Sequence, residues 1–304
     1  MVAVECIDLS KDFSAGFWRK RPVRALDALN LSIAEGEIFG LLGHNGAGKT
    51  TTIKLLLRLI FPSRGTARIL GQPLGAPGLA ARIGYLPENP YFYDYLRCRE
   101  LVEYYAELAG VPAGERGARA RAALERVGMG EAMERPLRKC SKGMVQRVGL
   151  AQAIVHRPKL AILDEPMSGL DPAGRAEVRD LILELRGQGT TVLFSTHILS
   201  DAEQLCDRVA VLKRGRLAAA GTLDELGGND GTQAEIVYRE RAGSGLGLIR
   251  REVIAAADLW PRLEALRARQ AQIIAVNSAR RGLEELFRPE AGERAASRSA
   301  GQGS

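Results

Sequence analysis

Residues 43–51 constrain the fold of this chain more than any other segment. They have the sequence Gly-His-Asn-Gly-Ala-Gly-Lys-Thr-Thr, which fits the pattern G-x-x-x-x-G-K-[ST]. The apolar run before them, residues 37–42, predicts a buried strand. Residues 52–60 after them predict a helix that stops near Pro62. A glycine-rich loop between a strand and a helix indicates an α/β fold built around a phosphate-binding loop.

The residue types of this loop suit a nucleoside triphosphate bound with Mg2+. Glycines allow successive backbone N–H groups to point inward, and the helix N-terminus adds a partial positive charge. We expect Lys49 to reach the β- and γ-phosphates, Thr50 to ligate Mg2+ and Thr51 to donate to a phosphate oxygen. The residues expected to contact the nucleotide are Gly43, His44, Asn45, Gly46, Ala47, Gly48, Lys49, Thr50 and Thr51. The competing interpretation is an ordinary glycine-rich turn.

Composition narrows the class of protein further. The 304 residues, 46% of them hydrophobic, suffice for one large α/β domain and a smaller one. The sequence shows no apolar run long enough to cross a bilayer and no signal peptide, which predicts a cytoplasmic location. The four cysteines, Cys6, Cys98, Cys140 and Cys206, lack C-x-x-C spacing and are expected to be reduced thiols.

The chain carries a net charge of +7, spread along the sequence. An arginine-rich composition explains this charge without nucleic acid, for which the sequence has no binding motif. The one basic cluster, residues 19–21 beside two aromatic residues, is interpreted as a solvated loop, with contact to lipid head groups as the alternative.

Two further segments carry polar groups at positions suited to phosphate chemistry. Residues 160–165 predict a buried strand that ends in Asp164 and Glu165, and open α/β sheets bind ligands at such strand ends. We assign Asp164 to the Mg2+ shell and Glu165 to polarisation of an attacking water, although a solvated acid pair is the simpler alternative. Ser141 is the expected N-cap of a helix that runs toward Val155, which by itself is only a structural role.

Taken in order, these segments resemble the ATP-binding subunit of an ATP-binding cassette (ABC) transporter over about residues 3–225. The matching segments are residues 43–51 (Walker A), 85–88 (Q-loop), 140–144 (signature), Asp164 with Glu165 (Walker B and catalytic acid), 168–171 (D-loop) and 195–197 (switch histidine). The resemblance implies a P-loop ATPase core with an antiparallel β subdomain and a helical signature subdomain. It also implies that Lys49, Glu165 and His197 are catalytic.

Two segments depart from the usual motifs of the family. The signature is Cys-Ser-Lys-Gly-Met instead of LSGGQ, and Glu88 stands where Gln is usual. Ser141 and Gly143 keep the positions that contact the γ-phosphate in the family, and Glu88 is assigned to the Mg2+ site. Both variants resemble single-cassette ATPases of drug, antibiotic, lipid or polysaccharide exporters with a separate permease. That branch commonly adds a small C-terminal domain, and residues 283–287 resemble its closing helix.

Other residues have both a structural and a family interpretation. Asp171 before Pro172 is an N-cap and N1 pair for the next helix, and the resemblance adds a D-loop contact. A histidine such as His197 at a strand end is often incidental, but its distance after Asp164 suits the switch role. Phe13 is expected to stack on adenine, with burial in the core as the alternative.

These features predict a domain organisation and a working assembly. We expect an ATPase domain at residues 1–226 with a helical part at 88–158, a linker at 227–231, an α+β domain at 232–288 and a disordered tail at 289–304. Since the chain has one Walker A loop and one signature, the resemblance implies a homodimer on a multi-span membrane permease, peripheral to the cytoplasmic face of the membrane. The alternatives are a soluble ABC ATPase of translation or DNA repair, and a regulatory nucleotide-binding module without turnover.

Overall fold

The structure is a computed structural model and describes residues 1–15, 21–227, 233–242 and 245–278. The strands are β1 Val2–Ala15, β2 Arg21–Ala34, β3 Ile38–Leu42, β4 Arg64–Ile69, β5 Gln72–Pro73, β6 Ile83–Leu86, β7 Leu160–Asp164, β8 Thr191–Thr196, β9 Arg208–Lys213, β10 Arg216–Thr222, β11 Gln233–Ala242, β12 Gly245–Ala255 and β13 Gln272–Ser278. The helices are α1 Lys49–Leu56, α2 Cys98–Leu108, α3 Ala113–Arg126, α4 Lys142–Ile154, α5 Pro172–Gly187, α6 Leu199–Leu205, α7 Leu223–Gly227 and α8 Leu259–Ala268. The chain divides into two compact units, Met1–Ala220 and Gly221–Ser304.

A six-stranded sheet in the order β10-β9-β3-β8-β7-β6 forms the centre of the first unit. Strands β9, β3, β8, β7 and β6 pair in parallel, and every residue of β3, β7 and β8 is buried. Near-continuous apolar runs are typical of parallel strands because both faces of the sheet are covered. The carboxyl ends of these strands therefore lie along one edge of the sheet.

Alternate residues of these strands pack into two different cores. On one face, Phe39 and Ile162 pack with α1 and with an antiparallel sheet of order β2-β1-β4-β5. On the other face, Ile38, Leu163 and Phe194 pack with α2, α3, α4 and α5. The period-2 alternation of strand side chains makes one sheet the shared wall of both cores.

The second unit contains a three-stranded antiparallel sheet of order β12-β11-β13. Ile236 and Tyr238 of β11 form its small core with Leu266 of α8. At this core Glu252 of β12 accepts hydrogen bonds from the guanidinium of Arg262, at 2.7 and 3.1 Å. The sequence predicts an α+β domain here but does not indicate strand β12, because its run of charged residues hides the alternation.

The predicted helix at residues 52–60 was wrong at both ends. Helix α1 begins at Lys49, directly after the glycine loop, and ends at the C-cap Leu57. The next residue, Arg58, has φ 55°, a left-handed conformation that terminates an α-helix.

Several predicted features fall outside the described residues. These are residues 19 and 20 of the basic cluster, most of the linker at 227–231, the helix at 283–287 and the tail at 289–304. Among the described residues, no helix is long and apolar enough to cross a membrane.

Candidate ATP and magnesium site

The glycine loop places Lys49 at the start of α1 and at the carboxyl edge of the parallel sheet. Gly48 caps the helix with φ 109°, and a Cβ on this residue would lie 3.0 Å from the Ala25 carbonyl oxygen. Both facts require glycine at this position. Lys49 is buried, and its Nζ donates to the carbonyl oxygens of Gly43 at 2.6 Å and of His44 at 3.4 Å.

Positive charge accumulates at this loop. The ammonium of Lys49 lies in the first turn of α1, where the free N–H groups already carry partial positive charge, and that turn contains no acidic residue. The positive charge of Lys49 and the partial positive charge of the helix N-terminus together favour the binding of an anion. His44, Asn45 and Gly46 are exposed at the outer side of the loop, and Thr50 and Thr51 are half-buried at its inner side.

Glu165 lies between Lys49 and His197. Its Oε1 is 3.3 Å from Lys49 Nζ, and its Oε2 is 2.9 Å from His197 Nδ1. The side chain of Glu165 is 8% exposed, whereas that of His197 is 44% exposed. Glu165 also has φ 51°, a conformation that costs a non-glycine residue about 1–3 kcal/mol. The structure thus brings all three predicted catalytic residues together around one carboxylate.

Asp164 is buried at the end of β7 and is hydrogen-bonded from two sides. Ser195 Oγ donates to Asp164 Oδ1 at 2.5 Å, and the Thr50 side chain forms a second hydrogen bond with the carboxylate. Burial raises the pKa of Asp164 above its ordinary value, while the bonds from Ser195 and Thr50 oppose the shift. A carboxylate and a hydroxyl in contact are the hard oxygen donors that Mg2+ prefers. These two residues therefore fit the predicted metal site.

Ser195 is a functional residue that the sequence analysis did not single out. Besides donating to Asp164, its Oγ accepts the backbone N–H of Glu165 at 2.9 Å. One buried hydroxyl on β8 therefore fixes both acids at the end of the neighbouring strand. The only sequence signal was the position of Ser195 two residues before His197, which does not reveal a contact between strands.

The signature segment is more open than this centre. Ser141 caps α4 by accepting the Met144 N–H at 3.3 Å, as predicted, and its side chain is exposed. Ser141, Gly143 and Asp171 line a cavity of about 900 Å³, together with Arg135 and Arg147. Asp171 accepts the Gly174 N–H at 2.9 Å, which confirms its N-cap role.

A buried amide joins the signature helix to the acids. Gln146 of α4 is 4% exposed, and its Nε2 donates to the Pro166 carbonyl oxygen at 3.1 Å, one residue after Glu165. No local pattern in the sequence indicates this contact, because it joins residues that are twenty positions apart. Gln146 gives the signature helix a direct link to the backbone that carries the catalytic acid.

Two predicted site residues lie outside this hydrogen-bonded group. Glu88 is exposed two residues after β6, whose carboxyl end lies beside that of β7. Phe13 lies on β1 with 41% of its surface exposed, and Lys11 Nζ is 5.1 Å from its ring centroid. Burial of Phe13 in the core, the alternative to stacking, was therefore wrong.

A phosphate loop, a Walker B acid pair and a signature helix on one parallel sheet define an ABC-type P-loop ATPase. The family model "ABC transporter" matches residues 26–168. An uncharacterised ABC transporter ATP-binding protein of Synechocystis is 43% identical over 295 residues, covering 93% of this chain and 83% of the relative. The chain therefore belongs to the ATP-binding subunits of ABC transporters.

Two further comparisons bear on activity. A daunorubicin resistance ATP-binding protein of Streptomyces coeruleorubidus is 40% identical over 220 residues, covering 71% of this chain and 70% of the relative. A solved dimeric ATP-binding cassette in a post-hydrolysis state with ADP and Pi is 25% identical, covering 72% of this chain and 98% of that chain with a TM-score of 0.66. The protein is an ATP-binding ATPase, and neither comparison supports a role in translation or DNA repair.

Proposed function

We propose that the site hydrolyses ATP with Glu165 as the general base. The single observation that carries this role is the position of the Glu165 carboxylate, held at 3.3 Å by Lys49 and at 2.9 Å by His197. A base fixed on both oxygens is already oriented toward one side of the phosphate loop. Once Lys49 has turned from Glu165 to the phosphates, the carboxylate can take a proton from a water in line with the γ-phosphate.

Lys49 exchanges partners when the triphosphate binds. Its Nζ donates to the Gly43 carbonyl and pairs with Glu165 in the structure. A phosphate oxygen is the stronger partner for an ammonium, and its arrival frees Glu165 from this ion pair. His197 then orients Glu165 and contacts the γ-phosphate. Thr50 and Asp164 would hold Mg2+, together with Glu88, and the bound ion would supply positive charge against the phosphates.

Two chains complete each other's sites in this proposal. Ser141 and Gly143 line a cavity that is open to the outside and do not belong to the hydrogen-bonded group around Lys49. We assign them to the γ-phosphate of a nucleotide on a second copy, with Asp171 of each copy at the shared interface. Phe13 stacks on the adenine of its own nucleotide. ATP then closes a homodimer, and hydrolysis releases it.

An exposed aromatic surface suits a membrane partner. Tyr91, Tyr93 and Tyr95 follow Glu88 and are 98%, 59% and 63% exposed. Tyr104 of α2 is 43% exposed and packs on Tyr105, which packs on Phe92, and the rings of Tyr93 and Tyr95 pack on each other. Exposed apolar surface of this kind marks interaction sites. We assign this aromatic surface, defined by the four exposed tyrosines, to the cytoplasmic loops of a separate multi-span permease.

The relatives support a direction of transport. The daunorubicin resistance relative is named for drug resistance, and we propose that this chain likewise drives export, from the cytoplasmic face of the membrane. The ATPase domain of residues 1–226 performs the nucleotide chemistry, with the helical part at 88–158 facing the permease. The domain at 232–288 is assigned to dimer stabilisation or regulation.

The decisive experiment uses Glu165→Gln in the source cells. This variant is expected to bind ATP and remain in the closed dimer, because it lacks the base that ends the cycle. Gentle purification with ATP should recover a multi-span membrane protein. Recovery of ribosomes, nucleic acid or only soluble proteins would contradict the transporter assignment.

A second set of variants tests the aromatic surface within the same purification. Tyr91→Ser with Tyr95→Ser is expected to lower the recovery of the membrane protein, with ATP binding unchanged. Trp260→Ser is the matched control, since Trp260 is an equally exposed aromatic residue, at 75%, on the second unit. Equal recovery from both variants would remove the aromatic surface from the proposal.

A further inference from the structure

Two cysteines that are distant in sequence meet beside the signature. Cys98 is the first residue of α2, Cys140 directly precedes Ser141, and their Sγ atoms are 3.7 Å apart. All four cysteines of the chain are free thiols. Cys6 and Cys206 are not paired with another cysteine in the described part of the chain. The structure therefore distinguishes one thiol pair that the spacing of cysteines in the sequence does not reveal.

The backbone holds these two thiols in place. Residues on either side of Cys98 form a ladder of hydrogen bonds with the segment before Cys140: Leu137 N to Leu96 O at 2.9 Å, Cys98 N to Arg135 O at 3.1 Å and Arg99 N to Met133 O at 3.0 Å. Glu134 adds ion pairs with Arg97 at 2.7 Å and with Arg99 at 2.8 Å. Because both segments are fixed to each other, the sulfur atoms stay within reach without a change of fold.

The two sulfur atoms are already in contact. At 3.7 Å they are within the distance of a weak sulfur hydrogen bond in which either thiol could donate, and each thiol also lies near a backbone oxygen, Cys98 Sγ at 3.3 Å from Arg135 O and Cys140 Sγ at 3.7 Å from Pro136 O. A disulfide holds its sulfur atoms about 2.05 Å apart, so the two side chains must move closer to form it.

We propose that Cys98 and Cys140 form a modification site, at which a low-molecular-weight disulfide oxidises the pair to an intramolecular disulfide that lowers ATPase activity. Cys140, half-buried, reacts first by attacking the small disulfide, and Cys98, fully buried, then attacks the mixed disulfide on Cys140. Burial and the neighbouring Cys140 thiol raise the pKa of Cys98 to about 12, which agrees with this order because the thiolate is the nucleophile.

The chemistry balances with one small disulfide. The Cys140 thiolate attacks one sulfur of the small disulfide, whose S–S bond breaks, and releases the first small thiolate. The Cys98 thiolate then attacks the Cys140 sulfur, forms the new S–S bond and releases the second small thiolate. Two protein thiols are oxidised, one disulfide is reduced to two thiols, and the two cysteine protons pass to the released thiolates.

The disulfide acts on the ATPase through Ser141. Cys140 is bonded directly to this residue, and Ser141 fixes the first turn of α4 by accepting the Met144 N–H. Movement of Cys140 toward α2 shifts Ser141 and the following Gly143 from the positions at which the proposed dimer places them against a nucleotide. A displacement of about 1 Å in a positioned group lowers a rate by up to about a hundredfold.

The test treats the purified full-length chain with oxidised glutathione. Cleavage after glutamate leaves Cys98 and Cys140 on different peptides, so mass spectrometry without reductant identifies a bond between them. We expect this linked pair, with Cys6 and Cys206 still alkylated as thiols, and a loss of ATPase activity of about tenfold or more that dithiothreitol reverses. Separate alkylation of Cys98 and Cys140 after oxidation would overturn the proposal, as would a linked pair with full ATPase activity.

Cys98→Ser supplies the matched control. Each protein is compared with its own reduced form, so a change in basal activity does not affect the result. The variant cannot resolve a glutathione adduct on Cys140, so mass spectrometry measures the fraction of molecules that carry the adduct, and the adduct-free molecules are expected to keep their full ATPase activity. An equal loss of activity per adduct-free molecule in the variant and the wild type would overturn the role of the pair. The mapping of the disulfide depends on neither export nor the permease, so its outcome is separate from that of the proposed function.

Discussion

The catalytic centre and the signature segment lie in the same unit but differ in how complete they are. Around Glu165, the side chains of Lys49, His197 and Ser195 are hydrogen-bonded, and those of Lys49 and Ser195 are buried. Around Ser141, an exposed hydroxyl and a half-buried glycine line an open cavity of about 900 Å³. The first region is preorganised within one chain, whereas the second is the region that we propose completes the site of a second copy.

This difference indicates where binding energy is used. A preorganised centre needs little rearrangement at the moment of reaction. A half-site contributes only when a second surface arrives, so its contribution depends on dimer formation. Changes in the centre should therefore act on turnover, and changes at the signature should act on association. The following predictions test this division, from the largest expected effect to the smallest.

The largest effect is expected from Glu165→Gln. Loss of the base should lower kcat by about 10²–10⁴-fold, while ATP affinity stays near that of the wild type because the phosphate loop is unchanged. Steady-state ATPase assays and nucleotide titration measure the two quantities. Undiminished hydrolysis would remove Glu165 from the role of base.

Gly143→Asp should act on association. A side chain at this position has room, since a Cβ would lie 3.4 Å from Leu170 Cδ2, so Gly143→Ala is a tolerated control. The added carboxylate is expected to repel the γ-phosphate and abolish ATP-driven dimer formation, as read by light scattering. ATP binding to the monomer should be unaffected.

Mixing Gly143→Asp with Glu165→Gln tests which chain supplies the signature. If the signature acts on the partner's nucleotide, a mixed dimer has one site with both defects and one intact site, and the mixture regains ATPase activity. If each signature served its own nucleotide, the mixture would be as inactive as its components, and the division between the two regions would fail.

His197→Ala should lower kcat by about a hundredfold with little effect on stability. The side chain is 44% exposed, so its removal leaves no large cavity, but Glu165 Oε2 loses its 2.9 Å partner. Thermal unfolding and ATPase assays separate the two effects. If the variant loses as much free energy of unfolding as it loses in activation free energy, His197 is mainly structural.

Ser195→Ala should affect both stability and the need for Mg2+. It leaves one oxygen of a buried carboxylate without its donor, which costs about 1–3 kcal/mol in the free energy of unfolding. Thr190→Ala is the matched control, because it removes a buried hydroxyl that donates to Pro158 at 3.2 Å before β8 begins. Both variants are expected to be less stable, but only Ser195→Ala should require more Mg2+ for half-maximal activity.

The pH profile of Ser195→Ala adds a second readout. Burial already raises the pKa of Asp164, and the Ser195 bond favours its ionised form. Removing that bond raises the pKa of Asp164 further. When the solution is acidified, activity that depends on the ionised Asp164 should therefore begin to fall at a higher pH in the variant than in the wild type. If the activity of the variant falls over the same acidic pH range as that of the wild type, Ser195 does not act on the proposed metal site.

The smallest effect is expected from Glu134→Gln beside the signature. Hydrogen bonds from Arg99, which has the larger effect, and from Arg97 hold the pKa of Glu134 below its ordinary value of 4.5. Its contribution to stability is therefore present above this value and is lost as the pH falls through the lowered pKa. Denaturation midpoints of wild type and variant should differ slightly at pH 7 and converge in acid. A constant difference at all pH values would assign the effect to packing.

Much of the first unit was predictable because its signals are local. The glycine loop, the apolar strands before Asp164 and His197, and the N-caps Ser141 and Asp171 depend on residues close together in sequence. Less was predictable where charged residues hide the alternation of a strand or where a single residue decides the end of a helix. Strand β12 lacks alternation, and the end of α1 depends on the left-handed conformation of Arg58.

The sequence by itself determined the family, the order of the motifs and the residues expected to bind ATP, because each motif consists of particular residue types at a fixed spacing. Only the tertiary structure decided which side chains meet. Ser195 bridges Asp164 and Glu165, Gln146 joins the signature helix to Pro166, and Cys98 lies against Cys140. Each contact joins segments 20 to 42 residues apart in the chain. Sheet order and helix packing bring such segments together, and no local pattern of residues records that outcome.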